Sequence, residues 1–273
     1  MECYPDHART VYTWTINRKK FKEMIKLRLI KNHNYFRYCV RKIRDLMKTF
    51  PCYRICLDSQ GGGYTVLEAL HDDDIMEPGE QLIWEIIEED KSKDSDNYTG
   101  LHLVELINFA SAEWTSTANH GMRKCMEDKQ LLFHYFDIVE CSIDCEIDAQ
   151  REIDGDLSVK FDSFEQVLFE VEELKNELTS ITMTRSGIQG RDRWDTPEKK
   201  TPTGKKIKMR KDRYSALVMA NWGAMNFRAL NYNPQHNFIG SFASGSKKKG
   251  KPKSNDWYSA PDWFKDGARG MYG

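Results

Sequence analysis

Tyr53-Arg54-Ile55-Cys56-Leu57-Asp58-Ser59-Gln60-Gly61-Gly62-Gly63 reads as an apolar strand that ends in a carboxylate and then in backbone without side chains. An acid at the mouth of a sheet, followed by glycines, lets a metal ion and a bulky anion approach together. A second stretch, Lys211-Asp212-Arg213-Tyr214-Ser215-Ala216-Leu217, opens a helix with another carboxylate among cations. Two separated acids of this kind point to divalent-metal phosphodiester chemistry.

Working outward, Arg9 to Thr15 is rich in β-branched and aromatic residues and is expected to be a strand. A basic helical stretch from about Lys19 to Phe50 follows, closed by Pro51, so strand, crossover helix and strand come in order. Tyr64 to Leu70 starts a short helix, and Asp72 to Gly79 is a turn-rich loop. Leu101 to Phe109 is a further strand, and Ala112 to Asp128 a helix. The clearest helix spans about Ser163 to Ser180, where Phe164, Val167, Leu168, Val171, Leu174, Leu178 and Ile181 recur at helical spacing. Residues 181–210 read as a hairpin or flap with a long tip, and a helix from Asp212 to about Leu230 follows. Beyond Asn231 the composition is that of a tail, with Trp257, Tyr258, Trp263 and Phe264 as aromatic anchors.

Composition sets the outer limits. At 273 residues and 40% apolar content the chain suits one large α/β domain with appendages, or two small domains. No run approaches about 18 apolar residues, so no membrane span is expected, and Met1 to His7 lacks the pattern of a secretory signal. Seven cysteines, an odd number, argue for reduced thiols in a reducing compartment. Cys52/Cys56 and Cys141/Cys145 share a spacing of four, but structural zinc sites pair cysteines more tightly in ligand-rich loops. The net charge of −1 hides segregation: residues 72–96 and 137–177 are acidic, whereas Lys199 to Arg213 and Lys247 to Lys253 are basic. Such blocks give a local field for phosphates in a chain that is neutral overall.

Each candidate also has a plainer explanation. Asp58 caps the following turn through its own backbone, and Asp212 is a helix N-cap. His120, His134 and the Arg185/Arg191/Arg193 group read as structural or solvated.

Four features, Asp58 to Gly63 after an apolar strand, the basic helix ending at Phe50, the helical Leu174-Lys175-Asn176-Glu177-Leu178, and Lys211 to Leu217, stand in the order seen in one family. Over roughly residues 8–235 the chain resembles the C-terminal nuclease domain of the large terminase subunit of tailed bacteriophages. The resemblance implies an RNase H-like mixed β-sheet flanked by helices over residues 1–235, with 236–273 a basic flexible tail. It implies a metal-dependent DNA endonuclease that cuts concatemeric double-stranded DNA in the host cell cytoplasm during genome packaging. Asp58 matches the second-motif acid and Asp212 the third-motif acid, together holding two Mg²⁺ or Mn²⁺ ions. Lys205, Lys206, Lys208, Arg210, Lys211 and Arg213 are then expected along the DNA backbone. The terminase ATPase segment, the small terminase subunit and the portal protein are the partners implied.

Two departures accompany this. The family's first catalytic Asp lies on an opening strand ahead of the segment matching Arg9 to Thr15, and Asp6, expected in a hairpin turn, does not fill that role. No Gly-x-x-x-x-Gly-Lys-Ser/Thr occurs either, so the ATPase half is absent and the chain reads as the C-terminal part of a longer, split or truncated product. The alternatives are a catalytically incomplete module that docks a packaging motor onto DNA or a portal, and another RNase H-like nuclease such as a resolvase or transposase.

Overall fold

A computed structural model describes residues 1–86, 99–186, 191–200, 204 and 206–232. In chain order the elements are β1 (Glu2–Cys3), β2 (Ala8–Arg9), α1 (Arg18–Lys26), α2 (Tyr35–Thr49), β3 (Ile55–Asp58), α3 (Gly63–Leu70), a 3₁₀ turn (Asp73–Ile75), β4 (Ile83–Glu85) and β5 (Leu101–Ile107). After them come α4 (Ala112–Glu127), β6 (Leu131–Leu132), α5 (Ile138–Ile153), α6 (Val159–Asp162), α7 (Phe164–Ser180), β7 (Thr182–Ser186), β8 (Arg191–Asp195), β9 (Glu198–Lys200), β10 (Lys206–Lys208) and α8 (Asp212–Asn231). The protein is mixed α/β, built on small open sheets.

The central sheet is parallel, in the order β3-β5-β4, with Asp58 opposite Ile107 at its end. Alternation along β3 divides its two faces. Ile55 and Leu57 pack with Ile43 and Met47 of α2 onto the cluster Val40, Leu67, Leu70, Ile83 and Val104. On the opposite face Arg54 and Cys56 meet α8 at Gly223, where a Cβ would lie 3.2 Å from Cys56 Sγ. Glu105 of β5 joins them, accepting from Arg54 Nη1 at 2.7 Å and from Trp222 Nε1 at 3.2 Å. Helices thus cover both faces of the sheet, as parallel strands require.

The α8 helix is enclosed by β3, α4 and α7, and its buried residues (Tyr214, Leu217, Val218, Asn221, Trp222, Gly223 and Ala224) point to several sides. A helix apolar around much of its circumference belongs in an interior. The expected helices at 112–128, 163–180 and 212–230 and the strand at 101–109 form within a few residues of those bounds.

Other expectations need correcting. Of the strand expected at Arg9 to Thr15, only Ala8–Arg9 pairs, with β1 and with β6, and the ladder closes where Thr10 N–H reaches Leu132 O at 2.9 Å. Residues 11–16 join no strand among the described residues and bind instead through side chains, Tyr12 to Asp162 and Thr15 to Glu170, because strand propensity needs a neighbouring strand to act on. The helix expected from Lys19 to Phe50 is two helices. Arg28 adopts φ +59°, and Asn34 starts α2 afresh by accepting from the Phe36 and Arg37 amides. The single long flap is two antiparallel pairs, β7 with β8 and β9 with β10. Asp6 does lie in the turn between β1 and β2, paired with His7. The expected tail at 236–273 lies outside the described residues.

All seven cysteines are free thiols. Burial pushes Cys56 up to about 12, with the Glu105 carboxylate adding to the effect, so this thiol is inert at neutral pH. Among the described residues no helix is long and apolar enough to cross a membrane.

Candidate functional site

The β3–α3 turn places Asp58. Gly63 comes so close to the end of β3 that a Cβ there would lie 1.8 Å from Asp58 O, and Gly61 has φ +69°. Only glycine tolerates both demands. Within the turn Asp58 Oδ1 accepts the Gln60 amide at 2.9 Å. The plain role of a strand-terminal aspartate is thereby realised, and one carboxylate oxygen is occupied.

Asp212 behaves differently. It is the first residue of α8, not its N-cap; Lys211 holds that position without a side-chain cap. The capping is done from α7, where Glu177 Oε2 accepts the Tyr214 amide at 2.9 Å. Asp212 is exposed and has no hydrogen-bond or ion-pair partner among the described residues. It lines a groove of about 600 Å³ between residues 10–17, α2, α7 and α8, along with Trp14, Tyr35, Cys39 and Arg210. Burial raises the Tyr35 and Cys39 pKa values, so both stay protonated donors at neutral pH.

The two acids sit toward the same end of the β3–α8 layer. Tyr53 packs against Phe227 with ring centroids 4.6 Å apart, and Cys56 meets Gly223, so β3 runs antiparallel along α8 toward its N-terminus. From Gly223 back to Asp212 is about 16 Å of helix, and from Cys56 to Asp58 about 7 Å of strand. About 10 Å along the axis therefore separates the backbone positions of the two acids. The first turn of α2 fills the interval: Tyr35 lines the groove, and Phe36 lies 2.7 Å from a Cβ placed on Gly62.

The expected DNA-facing cations divide into distinct environments. Arg213 is turned inward: its guanidinium, 13% exposed, pairs with Glu170 at 2.7 Å and Glu177 at 2.9 Å. Burial alone would lower its pKa, but these hydrogen bonds outweigh burial and raise it. Its placement does not fit the expected contact with DNA, because the charge is already neutralised inside the protein. Lys208 Nζ lies 2.6 Å from Asp195, and Lys211 donates to Trp194 O at 3.0 Å. The hydrogen bond from Lys208, followed by the Lys211 charge, pulls the Asp195 pKa far down. Arg210 is exposed at the groove with no ion pair among the described residues. Lys205 lies outside the described residues, as does the side chain of Lys206.

Sequence reasoning missed Glu170 and Glu177. They stand four before and three after Leu174, on the helix stripe that also carries Val171, and all four are buried. Two carboxylates within an apolar stripe signal a buried cation partner. His120 pairs with Asp192 at 2.8 Å beside Trp194, a structural contact on the β7–β8 pair.

The fold and site define a mixed α/β protein with a largely apolar groove, edged by Asp212 and Arg210, at the N-terminus of its central helix. No family model matches the chain, and neither does any curated protein or solved structure.

Proposed function

We propose that the chain is the DNA-cutting module of a genome-packaging terminase, a metal-dependent endonuclease of RNase H-like plan, with Asp58 and Asp212 as two of its metal ligands. The observation that carries this reading is the antiparallel run of β3 along α8, which brings a strand-end acid and a helix-start acid to one end of the layer. Exposed Arg210 lies at the groove beside Asp212, where it can meet a phosphate oxygen.

The carboxylates present do not by themselves fit a centre for two Mg²⁺ or Mn²⁺ ions. Among the described residues no three Asp, Glu, His or Cys side chains gather at one point, and Asp58 already shares one oxygen with Gln60 N–H. Ions about 4 Å apart need ligands that bridge them. A further acid must be supplied, and among the described residues β3 pairs only with β5, leaving one edge open to another strand. No catalytic step is assigned to Asp58 and Asp212 alone.

Conversion of supercoiled plasmid to open and linear forms tests this. The chain alone with millimolar Mn²⁺ should leave the plasmid intact, and an added Asp-bearing strand, in cis or in trans, should produce nicking that Asp58→Ala and Asp212→Ala abolish. Nicking that survives both substitutions would overturn the assignment. DNA binding without cleavage under every condition would favour a second reading, a module that docks a packaging motor onto DNA or a portal, which is also consistent with there being no third carboxylate at the site among the described residues.

A further inference from the structure

The α5 helix is turned inside out. Its inward residues are Cys141, Asp144, Cys145 and Asp148, and Asp148 Oδ2 accepts the Phe164 amide at the start of α7 at 2.6 Å. Its apolar residues face solvent instead, Val139 at 67%, Ile143 at 52% and Ile147 at 54% exposed, with none of the helix buried. An amphipathic surface helix ordinarily turns such a stripe to the core, and contiguous exposed aliphatics mark an interaction site.

Charge narrows what can cover it. At 3.6 residues per turn Glu140 flanks the stripe on one side and Glu146 on the other. Residues 137–154 carry seven carboxylates and one arginine, and Arg151 is committed to Asp148 and Asp156 at 2.8 Å each. Among the described residues Glu140 and Glu146 have no ion pair, so the rim of the stripe carries negative charge that the described residues do not compensate. A second copy laid against it would set acid against acid, and an anionic membrane would be repelled for the same reason.

We propose that the Val139–Ile143–Ile147 face of α5 is the docking site for an amphipathic helix of another protein, apolar along one stripe and lysine- or arginine-rich along both rims. The apolar stripes supply the contact area, and the opposed charges set orientation and exclude self-pairing. The proposal is independent of the nuclease reading, since α5 contributes nothing to the groove.

The test uses the full chain and fluorescence anisotropy of a labelled synthetic helix of about five turns, leucine along one stripe and lysine on its rims. A control peptide carries glutamate in place of every lysine. The lysine peptide should bind, weaken as salt is raised, and lose at least about tenfold in affinity against the Ile143→Glu/Ile147→Glu variant. Both isoleucines are exposed, so the variant should keep the wild-type circular dichroism, and Ile143→Ala/Ile147→Ala provides a milder second variant. Failure of the lysine peptide to bind, equal binding of the glutamate peptide, or affinity unchanged in both variants would overturn the proposal. So would a dimer by light scattering, or binding to zwitterionic vesicles, that the glutamate variant abolishes; those outcomes would assign the face to a second copy or to lipid.

Discussion

Arg213 Nη1 donates to Glu177 Oε1 at 2.9 Å while the other oxygen of that carboxylate accepts the Tyr214 amide, so one glutamate neutralises a buried cation and caps the helix that carries it. Glu170 takes the Nε–H of the same guanidinium and the Thr15 hydroxyl, which ties α7, α8 and the segment before α1 together. This network fixes the helix start on which Asp212 stands.

Removing the cation should therefore cost stability rather than DNA affinity alone. Arg213→Ala leaves two buried carboxylates without their cation, and a loss of about 3–5 kcal/mol is expected from urea unfolding. Glu177→Gln keeps an acceptor for the Tyr214 amide and should cost less. An Arg213→Ala protein of wild-type midpoint that had lost DNA affinity would return this residue to the interface.

The turn after β3 offers a contrast between neighbouring glycines. A Cβ on Gly61 meets nothing within 4 Å, although φ is +69°, whereas one on Gly63 collides with Asp58 O. Gly61→Ala should lower stability by about 1 kcal/mol. Gly63→Ala cannot be accommodated without moving Asp58 and should lower it several-fold more, read as the gap between two thermal midpoints. Equal midpoints would mean that α3 does not start where Gly63 puts it.

What could be read from the sequence depended on whether the signal was local. The stripe of α7 and the glycine run after Asp58 could be read directly, since helical period and turn chemistry act over a few residues. Thr10 to Thr15 has strong strand propensity, yet pairing needs a neighbour that only the tertiary fold supplies. The split between α1 and α2 was written in Asn32-His33-Asn34, a capping signal outweighed by the helical residues on both sides. The α5 helix was not assigned because residues 137–177 read as an acidic block, while the valine and isoleucines at spacing four carried the period. At the site, Asp58 and Asp212 were found by type and context, but the commitment of Arg213 to Glu170 and Glu177 depends on helices brought together from distant segments.

A pH dependence follows from Glu80. The Arg41 hydrogen bond, outweighing burial, holds its carboxyl down to about 2, with Arg44 adding its charge. A carboxyl depressed in the folded state stabilises the protein above its unfolded pKa, near 4.5. That contribution falls away as pH drops from there toward 2. Glu80→Gln should be less stable than wild type at pH 7 by roughly 1–3 kcal/mol, and the two should converge as pH falls through this window. Urea titrations at several pH values would show it; a constant difference down to pH 2 would remove Glu80 as the source.

The cations near Asp212 make the DNA reading testable one side chain at a time. Arg210 is exposed at the groove and unpaired among the described residues, so its charge is available to a phosphate, whereas Lys208 is held 2.6 Å from Asp195. A lysine must leave its carboxylate before it can release a counterion from DNA, so its net contribution is smaller. Arg210→Ala should weaken binding to unrelated duplexes alike and reduce the slope of log affinity against log salt by about 0.9, the value for one phosphate contact. Lys208→Ala should change the slope by less, and a joint Lys205→Ala, Lys206→Ala and Lys208→Ala variant should flatten it further. Fluorescence anisotropy over a salt series measures all three. If Arg210→Ala leaves the slope intact while Lys208→Ala lowers it, DNA follows the β9–β10 pair rather than the groove, and Asp212 is not beside the scissile strand.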